Sequence, residues 1–130
     1  MLHKDITEKI IKAFYTVYNT LGHGFLEKVY ENALAIELRK LGMFVEQQKR
    51  IEVFYGSEKI GEYFADLCIN GIIILELKTA EGIAPEHEPQ LLHYLKATNI
   101  ELGLILNFGP KPEFMRRILT NDKKGINHRI

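Results

Sequence analysis

The stretch ADLCINGIIILELKTA, residues 65–80, sets two acids and a lysine into some of the most apolar sequence in the chain. Asp66, Glu76 and Lys78 interrupt strand-like runs, where an unpaired charge is expensive to bury. Side chains alternate along a strand, so Glu76 and Lys78 share a face with Ile72 and Ile74. Two carboxylates converging beside a lysine repel each other unless a cation intervenes. A hard divalent ion such as Mg2+ takes oxygen ligands and keeps several waters, which leaves room for a phosphate oxygen and an attacking water. Lys78 could then orient that water or stabilise charge on the transition state. Taken alone, D-x9-E-x-K is a weak pattern, and the same residues would suit a solvated sheet face with Asp66 as a strand-end acid.

Whether Asp66 shares the face of Glu76 depends on the turn at Asn70-Gly71. A two-residue loop pairing Ile69 with Ile72 sets Asp66 opposite Leu75, facing away from Glu76. A three-residue loop, Ile69-Asn70-Gly71, closed by glycine in the left-handed region, pairs Cys68 with Ile72. Asp66 and Glu76 then become diagonal neighbours on one face, with Cβ atoms about 7 Å apart. Both loops are stereochemically acceptable.

The elements that must position these residues are legible from periodicity. Asp5 with Glu8 reads as a capping box before Ile6, Ile10, Ile11, Phe14, Val17, Tyr18 and Leu21 at helical spacing, and Gly22 stops that helix. A second helix is expected over about Leu26 to Leu41, its inner face following Leu26, Val29, Tyr30, Ala33, Ile36 or Glu37, and Leu41. The runs MFVEQQKRIEVFY and KIGEYFADLCI flank a turn at Gly56-Ser57, and IIILELK follows Asn70-Gly71. A third helix spans about Pro85 to Thr98, with both prolines tolerable near its first turn. LGLILNF reads as a strand buried on both faces, and EFMRRILT as a further strand with helix as the alternative. The order ααβββαββ predicts an α/β fold with a mixed β-sheet flanked by helices: hairpins first, then a crossover helix returning to a parallel strand.

At 130 residues the chain fits one domain, 1–130, and 46% hydrophobic with 26% charged is an ordinary globular composition. No apolar stretch approaches the roughly 18 residues that cross a bilayer, so no membrane partner is expected. MLHKDITEKI lacks the apolar block of a secretory signal, and the one cysteine, Cys68, has no internal partner, so the expected compartment is the cytoplasm. Net charge is zero, which disfavours a broad electrostatic grip on nucleic acid. From Lys111 onward, however, Lys111, Arg116, Arg117, Lys123, Lys124 and Arg129 outnumber Glu113 and Asp122, and such a tail either meets a phosphate backbone or is a solvated end.

Three further features join the acids and the lysine. GFLEKVY carries Gly24, Glu27 and Tyr30 as G-x-x-E-x-x-Y; PQLLHYL carries Gln90 and Tyr94 as Q-x-x-x-Y, one helical turn apart; and HEPQLLHYLKATNIELGLILNFG passes from helix to buried strand. With Asp66 and Glu76-x-Lys78 in the same order, the chain resembles the bacterial and archaeal GxxExxY proteins, within the PD-(D/E)XK nuclease-like superfamily, from about Ile6 to Leu119. The resemblance implies a restriction-endonuclease-like core. It implies that Asp66 and Glu76 bind a metal with the Leu77 carbonyl as an extra ligand, that Lys78 is the catalytic lysine, and that Glu27 contributes to the metal site from outside the sheet. Gln90 and Tyr94 resemble the helix motif of the RecB-like branch, near the active site and the nucleic-acid backbone. Because the superfamily places its acids on one face, the resemblance favours the three-residue loop.

Tyr30 reads either as a substrate-side residue or as core. The histidines are expected to be structural or at the surface; His23 precedes Glu27, while His87 and His93 do not make the i,i+4 pair of a helical zinc site. Cys68, placed on the acid-bearing face, reads as a small buried hydrophobe. No G-x-x-x-x-G-K loop is present, which disfavours an ATPase. The expected function is a nuclease dependent on Mg2+, with Mn2+ able to substitute, hydrolysing phosphodiester bonds in DNA or RNA. The alternative is a non-catalytic module that keeps the fold and binds nucleic acid or a protein partner. Self-association as a homodimer would help a chain this short to grip a duplex.

Overall fold

The computed structural model describes residues 1–125. Helix α1 (Lys4–Leu21) buries Ile10, Ala13, Phe14 and Val17, the apolar stripe expected from its periodicity. Its start differs from expectation: His3, at φ 51°, is the N-cap and no side chain caps the helix. The helix begins upstream of Asp5, so Asp5 lies inside the first turn, where its charge complements the helix dipole instead of capping it.

Helix α2 (Glu27–Lys40) buries Tyr30, Glu31, Leu34, Ala35 and Leu38. Of the inner face read from sequence, Leu26, Val29, Ile36 and Leu41 are exposed, Leu26 at 81%. The helix carries apolar residues around most of its circumference, so two stripes satisfy helical spacing. Tyr30-Leu34-Leu38, at i,i+4 steps, is the one that faces the sheet.

Strands β1 (Val45–Tyr55), β2 (Glu58–Ile69), β3 (Ile73–Lys78), β4 (Leu102–Phe108) and β5 (Pro112–Ile118) form one sheet in the order β1-β2-β3-β4-β5. All neighbours are antiparallel except β3 and β4, which are joined by a crossover through α3 (Glu88–Lys96) and pair in parallel. The α/β mixed sheet flanked by helices, with the order ααβββαββ, is therefore as expected, and the last segment is a strand. Leu67, Ile69, Ile73, Leu75, Leu77, Leu104 and Leu106 pack toward α1 and α2. Ala65, Cys68, Ile74 and Ile105 pack toward α3 through Leu91, Tyr94 and Leu95. Every residue of β4 is buried, which its near-continuous apolar sequence anticipates. Among the described residues no helix is long and apolar enough to cross a membrane.

The β2–β3 connection follows neither loop derived from sequence. Asn70 and Gly71 both have positive φ, 53° and 69°, and the Ile72 N–H closes the turn on the Ile69 carbonyl. Ile72 then stands as an extra residue, and Ile69 pairs with Ile73, Cys68 with Ile74 and Leu67 with Leu75. The Asn70 side chain supplies the reason: its Oδ1 accepts from the Phe44 N–H at 2.8 Å while its own N–H donates to the Phe44 carbonyl at 2.8 Å, clamping the turn to the entrance of β1. This register carries Asp66 from a diagonal position to one directly beside Glu76.

The basic excess near the C-terminus is largely engaged. Arg117 pairs with Glu88, Arg116 donates to the Leu2 carbonyl, and Lys124, 1% exposed, donates to the carbonyls of Thr98 and Ile100. Arg129 lies outside the described residues.

Gly103 sets the height of α3 over the sheet, because a Cβ there would overlap the Leu91 side chain. Gly103→Ala is expected to lower stability by about 1–3 kcal/mol in urea titration, as overpacking does.

Candidate active site

Backbone pairing between β2 and β3 stops at Leu67 and Leu75. Beyond that point β2 stays with β1, while β3 stays with β4 as far as Lys78 opposite Asn107, so the sheet forks. Two carboxylates occupy the opening. The Leu77 N–H donates to Asp66 Oδ2 at 2.8 Å, and the Asp66 N–H donates to Glu76 Oε1 at 3.1 Å. Side-chain oxygens thus satisfy the backbone donors that the parted ladder no longer serves. Both acids lie at the same point of the fold, as the three-residue loop required, although the register differs.

The electrostatics of this opening are one-sided. Glu76 is 3% exposed, and burial, with the neighbouring Asp66 charge second, pushes its carboxyl up to about 8. Burial also raises Asp66, opposed by the Leu77 amide and reinforced by the charge of Glu31. Glu27, the exposed first residue of α2, is raised by loss of water around its carboxyl, with Lys78 acting against the rise. Three carboxyls that are each harder to ionise than usual share too little positive charge.

Lys78 Nζ donates to Gln90 Oε1 at 3.2 Å, Gln90 Nε2 donates to the Tyr94 hydroxyl at 3.0 Å, and that hydroxyl donates to the Phe64 carbonyl at 3.3 Å. This chain ties the end of β3 to α3 and back to β2 across the fork, and accounts for the Q-x-x-x-Y spacing. Asn107, fully buried, adds a clamp that the sequence did not disclose. Its side chain accepts from the Ala80 N–H at 2.9 Å and donates to the Ala80 carbonyl at 3.0 Å, holding the segment just after Lys78. A lone asparagine in LGLILNF was the available signal, since an unpartnered amide there would be costly.

The G-x-x-E-x-x-Y motif divides into one acid and its support. Tyr30 is fully buried, stacks on Phe108 at 4.4 Å between ring centroids, donates to the Gly22 carbonyl and accepts from the Phe25 N–H at 3.2 Å. The substrate-side reading of Tyr30 is therefore replaced by the core one: its hydroxyl holds the loop that enters α2 and sets Glu27 at the helix start. Gly24, at φ 125°, supplies a backbone conformation in that loop which side chains disfavour.

The cysteine and the histidines take other positions, His87 among them near enough for its charge to act on Glu27. Cys68 packs in the cluster under α3, and burial pushes its thiol up to about 11, so it stays protonated. His23 Nδ1 lies 3.3 Å from the Phe108 carbonyl, His87 Nδ1 accepts from the Ala84 N–H, and the exposed His93 ring meets Tyr63 edge-on. His128 is outside the described residues.

Among the described residues, no three His, Cys, Asp or Glu side chains stand close enough to hold an ion together. The three carboxylates named by the resemblance do not stand together as one cage: Asp66 and Glu76 meet at the fork, and Glu27 stands at an exposed helix end. The pair Asp66–Glu76 still fits a hard cation that binds through one or two carboxylates and retains water. Such a charge would also reverse the upward shifts of all three acids.

Two outcomes follow from this geometry. Tyr30→Phe, which leaves the Gly22 carbonyl and Phe25 N–H unpaired, is expected to reduce stability by about 1–3 kcal/mol in urea titration. Glu76 binds its proton more tightly folded than unfolded, so its contribution to metal-free stability is full below its ordinary value near 4.5 and is lost as pH rises through about 8. The thermal midpoint of the metal-free protein should therefore fall across that window, and Glu76→Gln should flatten the fall; an unchanged slope in the variant would refute the assignment.

A family model of the PD-(D/E)XK nuclease superfamily matches residues 4–118. No curated protein and no solved structure matches the chain. The match runs from the start of α1 to the end of β5, across the fork and both helices beside it, and the chain belongs to the PD-(D/E)XK nuclease superfamily.

Proposed function

We propose that this chain is a divalent-metal-dependent nuclease that hydrolyses phosphodiester bonds in DNA or RNA in the cytoplasm. The observation that carries the reading is the pair of adjacent carboxylates at the β2–β3 fork, both raised by burial, with Lys78 two residues farther along the same strand. Members of the superfamily generally use divalent metals. Asp66, Glu76 and the Leu77 carbonyl would hold Mg2+, or Mn2+ through the same oxygen donors, with Glu27 adding negative charge from α2. When bound, the ion activates a water and polarises the phosphate. Lys78 donates to Gln90 rather than to an acid, which leaves its ammonium to steer the attacking water and to offset charge developing on the phosphoryl oxygens. Gln90, exposed on α3, would orient the substrate strand, with the hydroxyl of the buried Tyr94 holding its amide in place.

A competing reading, a metal-binding module without catalysis, is favoured by one observation: no three acids stand together as a ready-made cage among the described residues. Purified protein with Mg2+ or Mn2+, incubated with single- and double-stranded DNA and RNA, separates the two. The nuclease reading expects cleavage, and expects Lys78→Ala to slow it by about 10²-fold or more with an unchanged circular-dichroism spectrum. Metal binding without cleavage of any of these substrates would establish the module instead.

A further inference from the structure

Glu31 was not singled out by any motif, yet it is 3% exposed, the most buried acid on α2. Both its oxygens are committed. Oε2 accepts from Lys28 Nζ at 2.9 Å and Gln47 Nε2 at 2.8 Å, and Oε1 accepts from Gln48 Nε2 at 2.7 Å. Gln47 and Gln48 are consecutive strand residues, which ordinarily point to opposite faces, and here both reach the same carboxylate. The backbone explains how: Gln48 has φ 52°, in the left-handed region that favours glycine.

The kink has a partner. In the β1–β2 register Gln47 pairs with Leu67 and Lys49 with Ala65, so the residue facing Gln48 is Asp66, and that one pair is missing from the ladder. Alternation slips at the same place. Val45 packs toward α1 and α2 whereas Ile51 packs toward α3, although the offset of six positions would place both on one face of a regular strand. Facing Asp66 across the strands, the Gln48 side chain acts against the burial that raises the Asp66 carboxyl. A strained, non-glycine residue therefore stands opposite the acid at the fork, with its amide bonded to a buried carboxylate on α2.

We propose that Gln48, clamped by Glu31, is a positioning residue that fixes the Asp66 carboxylate for divalent-metal binding. The inference rests on the nuclease reading of the fork. Three donors share the oxygens of Glu31, and its part is to orient the amide that faces the acid. The strain at Gln48 persists because a glycine there would relieve the backbone but remove the amide.

That distinction supplies the test. Mn2+ binding to the full chain is measured by calorimetry for the wild type, Gln48→Gly, Gln48→Ala and Gln47→Ala, with thermal midpoints recorded alongside. Glycine keeps the kink without strain, so Gln48→Gly is expected to keep the wild-type fold and midpoint yet bind Mn2+ about ten-fold more weakly or worse, the usual cost of losing an outer-shell partner. Gln47→Ala, which loses a bond to Glu31 but touches no acid at the fork, should retain wild-type affinity. Wild-type affinity in Gln48→Gly would overturn the proposal, since the kink alone would then account for the residue. An equal loss in Gln47→Ala would also overturn it, by assigning the effect to the burial of Glu31. Failure of the wild type to bind Mn2+ would remove the nuclease reading and this inference together, whereas wild-type binding with an unaffected Gln48→Gly removes this inference alone.

Discussion

Where the β2–β3 ladder ends, two backbone donors lose their carbonyl partners inside the protein, and the carboxylates of Asp66 and Glu76 take them over. An unsatisfied buried amide and an uncompensated buried carboxylate are both unfavourable, and bringing them together relieves each in part. The relief is incomplete. Each amide removes only a fraction of an acid's charge, which is why burial still dominates the upward shift of both carboxyls. The surrounding architecture keeps this polar opening from collapsing into the apolar layers around it.

Three supports converge on the opening from different directions. From β4, Asn107 clamps Ala80 and so fixes the path of the chain just beyond Lys78. From α3, Gln90 and Tyr94 link Lys78 to the carbonyl of Phe64 on the opposite arm of the fork. From α2, Glu31 holds the paired glutamines of β1, while Tyr30 and the loop it ties down present Glu27. Residues with chemical potential are thus few, and each is held by a neighbour whose own polar groups are satisfied, the arrangement that keeps a site in a defined geometry.

The residue patterns of this chain are informative when divided this way. In G-x-x-E-x-x-Y the glycine and the tyrosine serve backbone conformation and loop anchoring, and only the glutamate faces the fork. In E-x-K the intervening Leu77 is part of the α1–α2 core through its side chain, while its amide binds Asp66. A short residue pattern therefore mixes candidate chemical groups with groups that hold them, and burial separates the two.

Much was legible in the chain itself. Element order, the parallel return of β4 after α3 and the buried character of LGLILNF follow from local periodicity and turn chemistry, which are encoded in neighbouring residues, whereas Asn70-Gly71 alone left Asp66 free to take either face. Register, face and burial are different in kind, because they depend on partners distant in sequence. The side chain of Asn70 reaching back to Phe44 chose a pairing that neither loop derived from NG alone contained. Tyr30, Leu34 and Leu38 rather than Leu26 and Val29 face the sheet because only the packed layers distinguish between two equally periodic stripes. Glu31 resembled any solvated helix acid, and the one trace of its role was the consecutive amides Gln47-Gln48, which break strand alternation. The sequence by itself determined which acids and which lysine interrupt the apolar strands and in what order they occur. Only the tertiary structure decided how they meet, because hydrogen bonds and burial across layers set charge, register and strain together.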